Sequence, residues 1–135
     1  MTETLKNRIR RHEGFRSTPY RDSEGNWTVG YGHLMSNPLP KEALEITFTD
    51  DFAKAIKGYY TLPREIRDGL TPARREVLVE MIFQLGVRGV LNFKLMCKAL
   101  IAKDHEKAAE EIMDSDAGRK HRKRFKEHAD MMRHG

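Results

Sequence analysis

The chain has one cysteine, one tryptophan and no long hydrophobic run in its 135 residues. The lone Cys97 excludes an intramolecular disulfide, so a packed core has to hold the fold. A chain of this length can supply one, since it buries roughly two-thirds of its unfolded surface. Mean hydropathy is −0.70, and no segment approaches the roughly 20 apolar residues of a membrane-spanning helix. The opening stretch "MTETLKNRIRRHEG" lacks an apolar stretch of signal-peptide length, so synthesis in the cytoplasm is the expectation. Phosphate-binding loops and nucleophile elbows are also missing. His105, His121, His128 and His134 show no metal-ligand spacing with Cys97 or with one another. No metal and no cofactor is therefore expected.

Charge is what the chain has in excess of balance. Twenty-five Lys and Arg against twenty Asp and Glu give a formal charge of +5 and a pI near 9.4, which favours anionic partners. The densest basic run is "RKHRKRFKEH", residues 119–128. Phe125, Ala129 and Met132 recur through it at helical spacing, which predicts one helix over about 119–132 with a buried stripe and a charged outer face. That face is either merely solvated or a salt-sensitive contact with an anionic cell envelope. Nucleic acid is not expected, because no aromatic-basic interleaving accompanies the charge.

The pattern along the chain predicts an α+β protein in one domain. Leu5, Ile9 and His12 mark a first helix over about Thr4–Arg11, capped by Thr2 or Thr4 and stopped by Gly14, with Glu13 at its C-terminal end. "TPYRD" and "NWTVGYG" flank the turn "SEGN" and read as a β-hairpin, with little strand signal afterwards. A helical pattern from Pro40 to Tyr60 is expected to break into two helices at "TFTDD", with Thr49 as a cap. "LTPARREVLVEMIFQLG" is the clearest helix: Thr71 at the N-cap, Pro72 in the first turn, Gly86 just past the end. Its stripe of Val77, Leu78, Met81, Ile82 and Leu85 predicts the centre of a helical core. Further helices are expected at about 91–102 and 105–113. The lobes divide into a small β-containing part, about 13–58, and a helical part, about 59–135 together with the first helix.

One segment, "RRHEGFRSTPYRDSEGNWTVGYGH", is dense in chemistry. Glu13 ends a helix, Asp22 ends a strand, and Thr28 lies in the next strand, so a hairpin folding back on the helix would bring all three to one cleft. Two carboxylates facing a gap are the equipment of glycoside hydrolysis, and a hydroxyl can hold the attacking water. Gly30 and Gly32 leave room for a bulky chain to approach the backbone. Against this stands a turn reading, because "DSEG" is good turn chemistry by itself.

The spacing Glu-x8-Asp-x5-Thr in that segment resembles the catalytic segment of the phage-type lysozymes. That family pairs Glu-Gly with Tyr-x-Asp-x-x-Gly and Thr-(Ile/Val)-Gly-x-Gly-His. Here these are Glu13-Gly14, Tyr20-Arg21-Asp22 with Gly25, and Thr28-Val29-Gly30-Tyr31-Gly32-His33. Six such residues at fixed offsets would match by chance only about 10⁻⁷ of the time at average residue frequencies. "RREVLVEMIFQLG" is similar to the family's core helix, and the likeness covers most of the chain.

The resemblance implies a two-lobe lysozyme-like fold and hydrolysis of the β-1,4 bond between N-acetylmuramic acid and N-acetylglucosamine in bacterial peptidoglycan. Glu13 would be the general acid, held protonated by desolvation in the cleft, with Asp22 and Thr28 positioning and activating water. Gly30, Leu34, Phe83 and Gln84 would contact the glycan. An arginine of the helical lobe would reach Glu13, with Arg124 the best match and Arg119 and Arg122 competing. His33 would pair with Asp51 in a structural role. Only "LMSNPLPKEALEIT" separates His33 from Phe48, so the small lobe is expected to be shortened, which bears on the number of sugar subsites.

Two other functions share these residues: a lytic transglycosylase, which needs the glutamate but no activated water, and a catalytically silent peptidoglycan-binding module. The expected partners are peptidoglycan strands and an anionic envelope, met by a monomer. It would stay in the host cytoplasm until released to the cell wall, or travel in a virion.

Overall fold

The computed structural model describes residues 3–135; Thr2, one of the two expected caps, lies outside them. The chain forms two compact units, residues 1–45 and 46–135.

The first unit starts with α1 (Leu5–Glu13), where the Thr4 side chain accepts the Asn7 N–H as the N-cap. Gly14, at φ 72°, takes the positive-φ conformation that ends the helix, so Glu13 is its last residue. A three-stranded antiparallel sheet follows in the order β1-β2-β3: β1 (Arg16–Arg21), β2 (Trp27–Gly30) and β3 (His33–Leu34). The register places Tyr20 opposite Thr28 and Arg21 opposite Trp27, with an irregularity between Arg16 and Tyr20. Thr28 and Val29 pair in turn with Leu34 and His33. The hairpin is as expected. The third strand is not, because two residues are too few to show an alternating pattern.

Helix α2 (Lys41–Tyr59) is continuous through "TFTDD", where a break was expected. Thr and Asp cost only up to about 0.7 kcal/mol each in a helix interior. Asp50 pairs with Lys54 one turn on, and Ala55 and Tyr59 are buried, so the run is held together.

The second unit is helical: α3 (Arg64–Arg67), α4 (Pro72–Leu91), α5 (Lys94–Ile101), α6 (His105–Asp114), α7 (Asp116–Lys120) and α8 (Arg122–His134). Thr71 caps α4 by accepting the Arg74 N–H, and Pro72 sits in its first turn. Gly86, at φ 77°, interrupts the helix where the sequence places a stop, and a short helical segment continues to Leu91. Val77, Leu78, Met81 and Ile82 are buried, with Leu85 packed partly buried against them. The other side of this core comes from α6 (Ala108, Ala109, Ile112) and α8 (Phe125, Ala129, Met132). Cys97 is buried in α5 and its Sγ faces the Val90 carbonyl; burial raises the thiol's pKa and keeps it unreactive.

The basic run is not one helix. Ser115 caps α7 through the Gly118 N–H, and the chain turns at His121 (φ −123°, ψ 55°) before α8 begins. Nothing in "KHRK" breaks a helix locally. The turn follows from packing: Gly118 sits against the Ile112 and Met113 carbonyls, while α8 must bury Phe125, Ala129 and Met132. Among the described residues no helix is long and apolar enough to cross a membrane.

Candidate active site

Glu13, Asp22 and Thr28 all belong to the first unit. Glu13 reaches its position because Gly14 stops α1 immediately after it, and it is exposed there, where burial was expected. Its carboxylate occupies the space beside Gly32: a β-carbon built there would stand 2.9 Å from Glu13 Oε2. Gly32, at φ 81°, is thus a glycine for two reasons, its backbone conformation and the acid next to it. Gly30, at φ 67°, faces open space.

Asp22 is half-buried and organises the turn between β1 and β2. Its Oδ1 accepts the Glu24 N–H at 2.9 Å and the Asn26 N–H at 2.8 Å. Among the described residues nothing engages Oδ2. Thr28 is 3% exposed, and its hydroxyl donates to the Asn26 carbonyl at 3.0 Å. That carbonyl also accepts the Asp22 N–H at 2.9 Å. The Asn26 backbone therefore couples the acid to the hydroxyl. Sequence reading missed Asn26; its signal was the run "DSEGN", in which an Asp closes a turn on the residues that follow it.

The remaining first-unit residues lie around this sheet. Leu34 is half-buried opposite Thr28, and the His33 ring stands with Nε2 3.2 Å from the Asn37 carbonyl. In the second unit, Asp51 lies on α2 beside Lys54, whose charge it supports. Phe83 is 40% exposed and meets Phe48 with ring centroids 5.7 Å apart. Gln84 carries a buried Oε1 that has no hydrogen-bond partner among the described residues. Arg124 donates from Nε to Glu80 Oε2 at 2.9 Å. Arg119 pairs with Asp116, and Arg122 is exposed.

Glu80 is shared. His128, 2% exposed, places Nε2 3.5 Å from the same Oε2. Burial lowers the His128 pKa, against the pull of Glu80 and with the help of Arg124. Among the described residues no group of three or more His, Cys, Asp or Glu could hold a metal ion.

The profile of the family described as "Phage lysozyme" matches residues 10–126, a span that includes Glu13, Asp22, Thr28 and Arg124. The chain is 26% identical to "Probable T4-type lysozyme 1" of Dictyostelium discoideum, the likeness covering 85% of each chain. It is 28% identical to "Endolysin" of Acyrthosiphon pisum secondary endosymbiont phage 1, over 78% of this chain and 72% of that one. It is also 28% identical to "Pre-baseplate central spike protein Gp5" of Enterobacteria phage T4, over 79% of this chain and 24% of that one.

Proposed function

The chain belongs to the phage lysozyme family of glycoside hydrolases, and on that premise we propose that it cleaves the β-1,4 bond between N-acetylmuramic acid and N-acetylglucosamine with Glu13, Asp22 and Thr28. The observation that carries this reading is the Asp22–Asn26–Thr28 arrangement. One oxygen of Asp22 is fixed by the turn and the other has no partner among the described residues, while the Thr28 hydroxyl and the Asp22 N–H share the Asn26 carbonyl.

The hydrogen bonds assign roles. Thr28 Oγ1 has its own proton committed to the Asn26 carbonyl, so toward a water it can only accept. A water that donates one hydrogen to Thr28 and one to Asp22 Oδ2 keeps a lone pair for the anomeric carbon. Glu13, protonated, donates to the glycosidic oxygen as the C1–O bond breaks. Asp22 takes the proton from the attacking water, and attack opposite the leaving group inverts the anomeric centre. The transition state gathers positive charge on the sugar, which the Asp22 carboxylate opposes.

Gly30, Leu34, Phe83 and Gln84 are the glycan contacts of this reading. Gln84 is half-buried on α4, and its side-chain amide is the hydrogen-bonding group this reading assigns to the glycan. Arg124, His33 and Asp51 support the site. The enzyme works as a monomer, waits in the host cytoplasm until released, and uses its basic C-terminal helix for salt-sensitive contact with the anionic envelope.

The test is mass spectrometry of purified peptidoglycan after digestion by the native protein and by Glu13→Gln. Reducing muramic-acid ends from the native protein, lost in the variant, are the expected result. Anhydro-muramic ends would make it a transglycosylase and remove the role given to Asp22 and Thr28. No cleavage by either would leave a binding module.

A further inference from the structure

The only tryptophan of the chain is on the surface. Trp27 is 50% exposed, at the start of β2 and directly opposite Arg21 across the hairpin. The Arg21 guanidinium lies over the indole, 4.7 Å from its centroid. Its one hydrogen bond among the described residues is a long one, 3.3 Å from Nη1 to the Gly25 carbonyl. No carboxylate among the described residues pairs with it. The Trp27 carbonyl accepts the Met35 N–H at 2.9 Å, so the residue is tied into the sheet from both sides.

Adjacent strand residues point to opposite faces. Thr28 and its partner Tyr20 therefore lie on one face of the sheet, and Trp27 with Arg21 on the other. The tryptophan does not serve the proposed chemistry directly. Nor does holding the hairpin explain its size: the cation stabilises one face of the ring, and half of the side chain's surface remains in water. A residue that contributes most when buried is here kept rigid and open.

We propose that Trp27 and Arg21 form a second glycan-binding platform, on the face of the sheet away from the bond cleaved, which holds the carboxylate-bearing glycan strands of peptidoglycan. The exposed indole offers a flat apolar surface to the C–H face of a pyranose ring. The unpaired guanidinium beside it offers planar donors to a stem-peptide carboxylate or an acetamido carbonyl. An insoluble polymer rewards such a contact, because a strand held outside the cleft raises the effective concentration of its neighbours at the site. The proposal rests on the muramidase reading for the identity of the polymer.

The tryptophan provides its own readout. In Glu13→Gln protein, soluble peptidoglycan fragments should change the tryptophan fluorescence, excited selectively over tyrosine, which comes from Trp27 alone. Co-sedimentation with purified insoluble peptidoglycan should fall about fivefold in Trp27→Ala and in Arg21→Gln, the size of one exposed stacking contact. Trp27→Phe should recover most of the retention. Both weakened variants should cleave short soluble glycan oligomers at the native rate, which also certifies their fold. Unchanged fluorescence together with native retention in Arg21→Gln would overturn the platform even if Trp27→Ala failed to fold. Absence of cleavage by the native protein would sink the muramidase reading instead, and leave retention to judge the platform.

Discussion

A carboxylate oxygen of Glu13 lies 2.9 Å from the point that a β-carbon on Gly32 would occupy. The glycine is thus part of the acid's surroundings. Gly32→Ala should strain a backbone at φ 81° and displace the carboxylate at once. The backbone alone is expected to cost about 1 kcal/mol of stability. Displacing the acid by even an ångström should lower kcat about 100-fold. Gly86→Ala serves as the comparison, because Gly86 has a similar φ but open space around it and no place in the proposed site. It should show the stability loss without the full loss of turnover. Equal turnover in the two variants would mean that Gly32 has no special bearing on Glu13.

Asp22 carries a turn and a proposed charge, and two substitutions separate them. Asp22→Asn keeps an oxygen able to accept from Glu24 and Asn26, so its melting temperature should stay close to native. Turnover should fall at least about 100-fold, the usual size of a lost general-base contribution. Asp22→Ala removes both and should also lose about 1–2 kcal/mol, having left two turn N–H groups without their acceptor. Thr28→Val should resemble Asp22→Asn, because the Asn26 carbonyl retains the Asp22 N–H as a donor. Native activity in Asp22→Asn would remove the charge from the mechanism.

What the sequence made legible was local. The Glu13–His33 segment is contiguous, and its helix stop, turn and strands are set by neighbours a few residues apart, so its organisation could be read directly. The core stripe on α4 was legible for the same reason, since helical period and burial coincide at Val77, Leu78, Met81 and Ile82. What failed depended on partners far along the chain. The turn at His121 follows from Gly118 packing on α6 and from the burial of α8. The continuity of α2 follows from Ala55 and Tyr59 entering the core. The reason for Gly32 was hidden for want of knowing that Glu13 would lie beside it, and the sharing of Glu80 by Arg124 and His128 joins α4 to α8 across more than forty positions.

His128 predicts an acid-sensitive helical unit. Its pKa is lowered by burial; Glu80 on α4 and Glu127 on its own helix pull the other way, Arg124 assists, and α6 packs the apolar Ala108, Ala109, Ile112 and Met113 against this core. The unfolded chain therefore takes up a proton at higher pH than the folded one. Stability contributed by neutral His128 is fully present above about pH 6.5 and is lost as pH falls from there through the lowered folded value. Urea melts between pH 7.5 and 5 should show stability declining over that window, and His128→Gln should decline less steeply. An identical slope in the variant would mean that other groups set the acid limit.

Gln84 offers the last test, because its place in the fold and its proposed place in binding pull in opposite directions. Its Oε1 is buried with no donor among the described residues, an arrangement that costs on the order of 1–3 kcal/mol in a folded protein. Gln84→Leu, close in volume and without the amide, should raise stability by up to about 1 kcal/mol. The same change should raise KM for peptidoglycan fragments several-fold and leave kcat nearly native, since the contact it removes is made equally by bound substrate and transition state. Stability that falls while KM stays put would show the amide to be structural and would take Gln84 out of the glycan contacts.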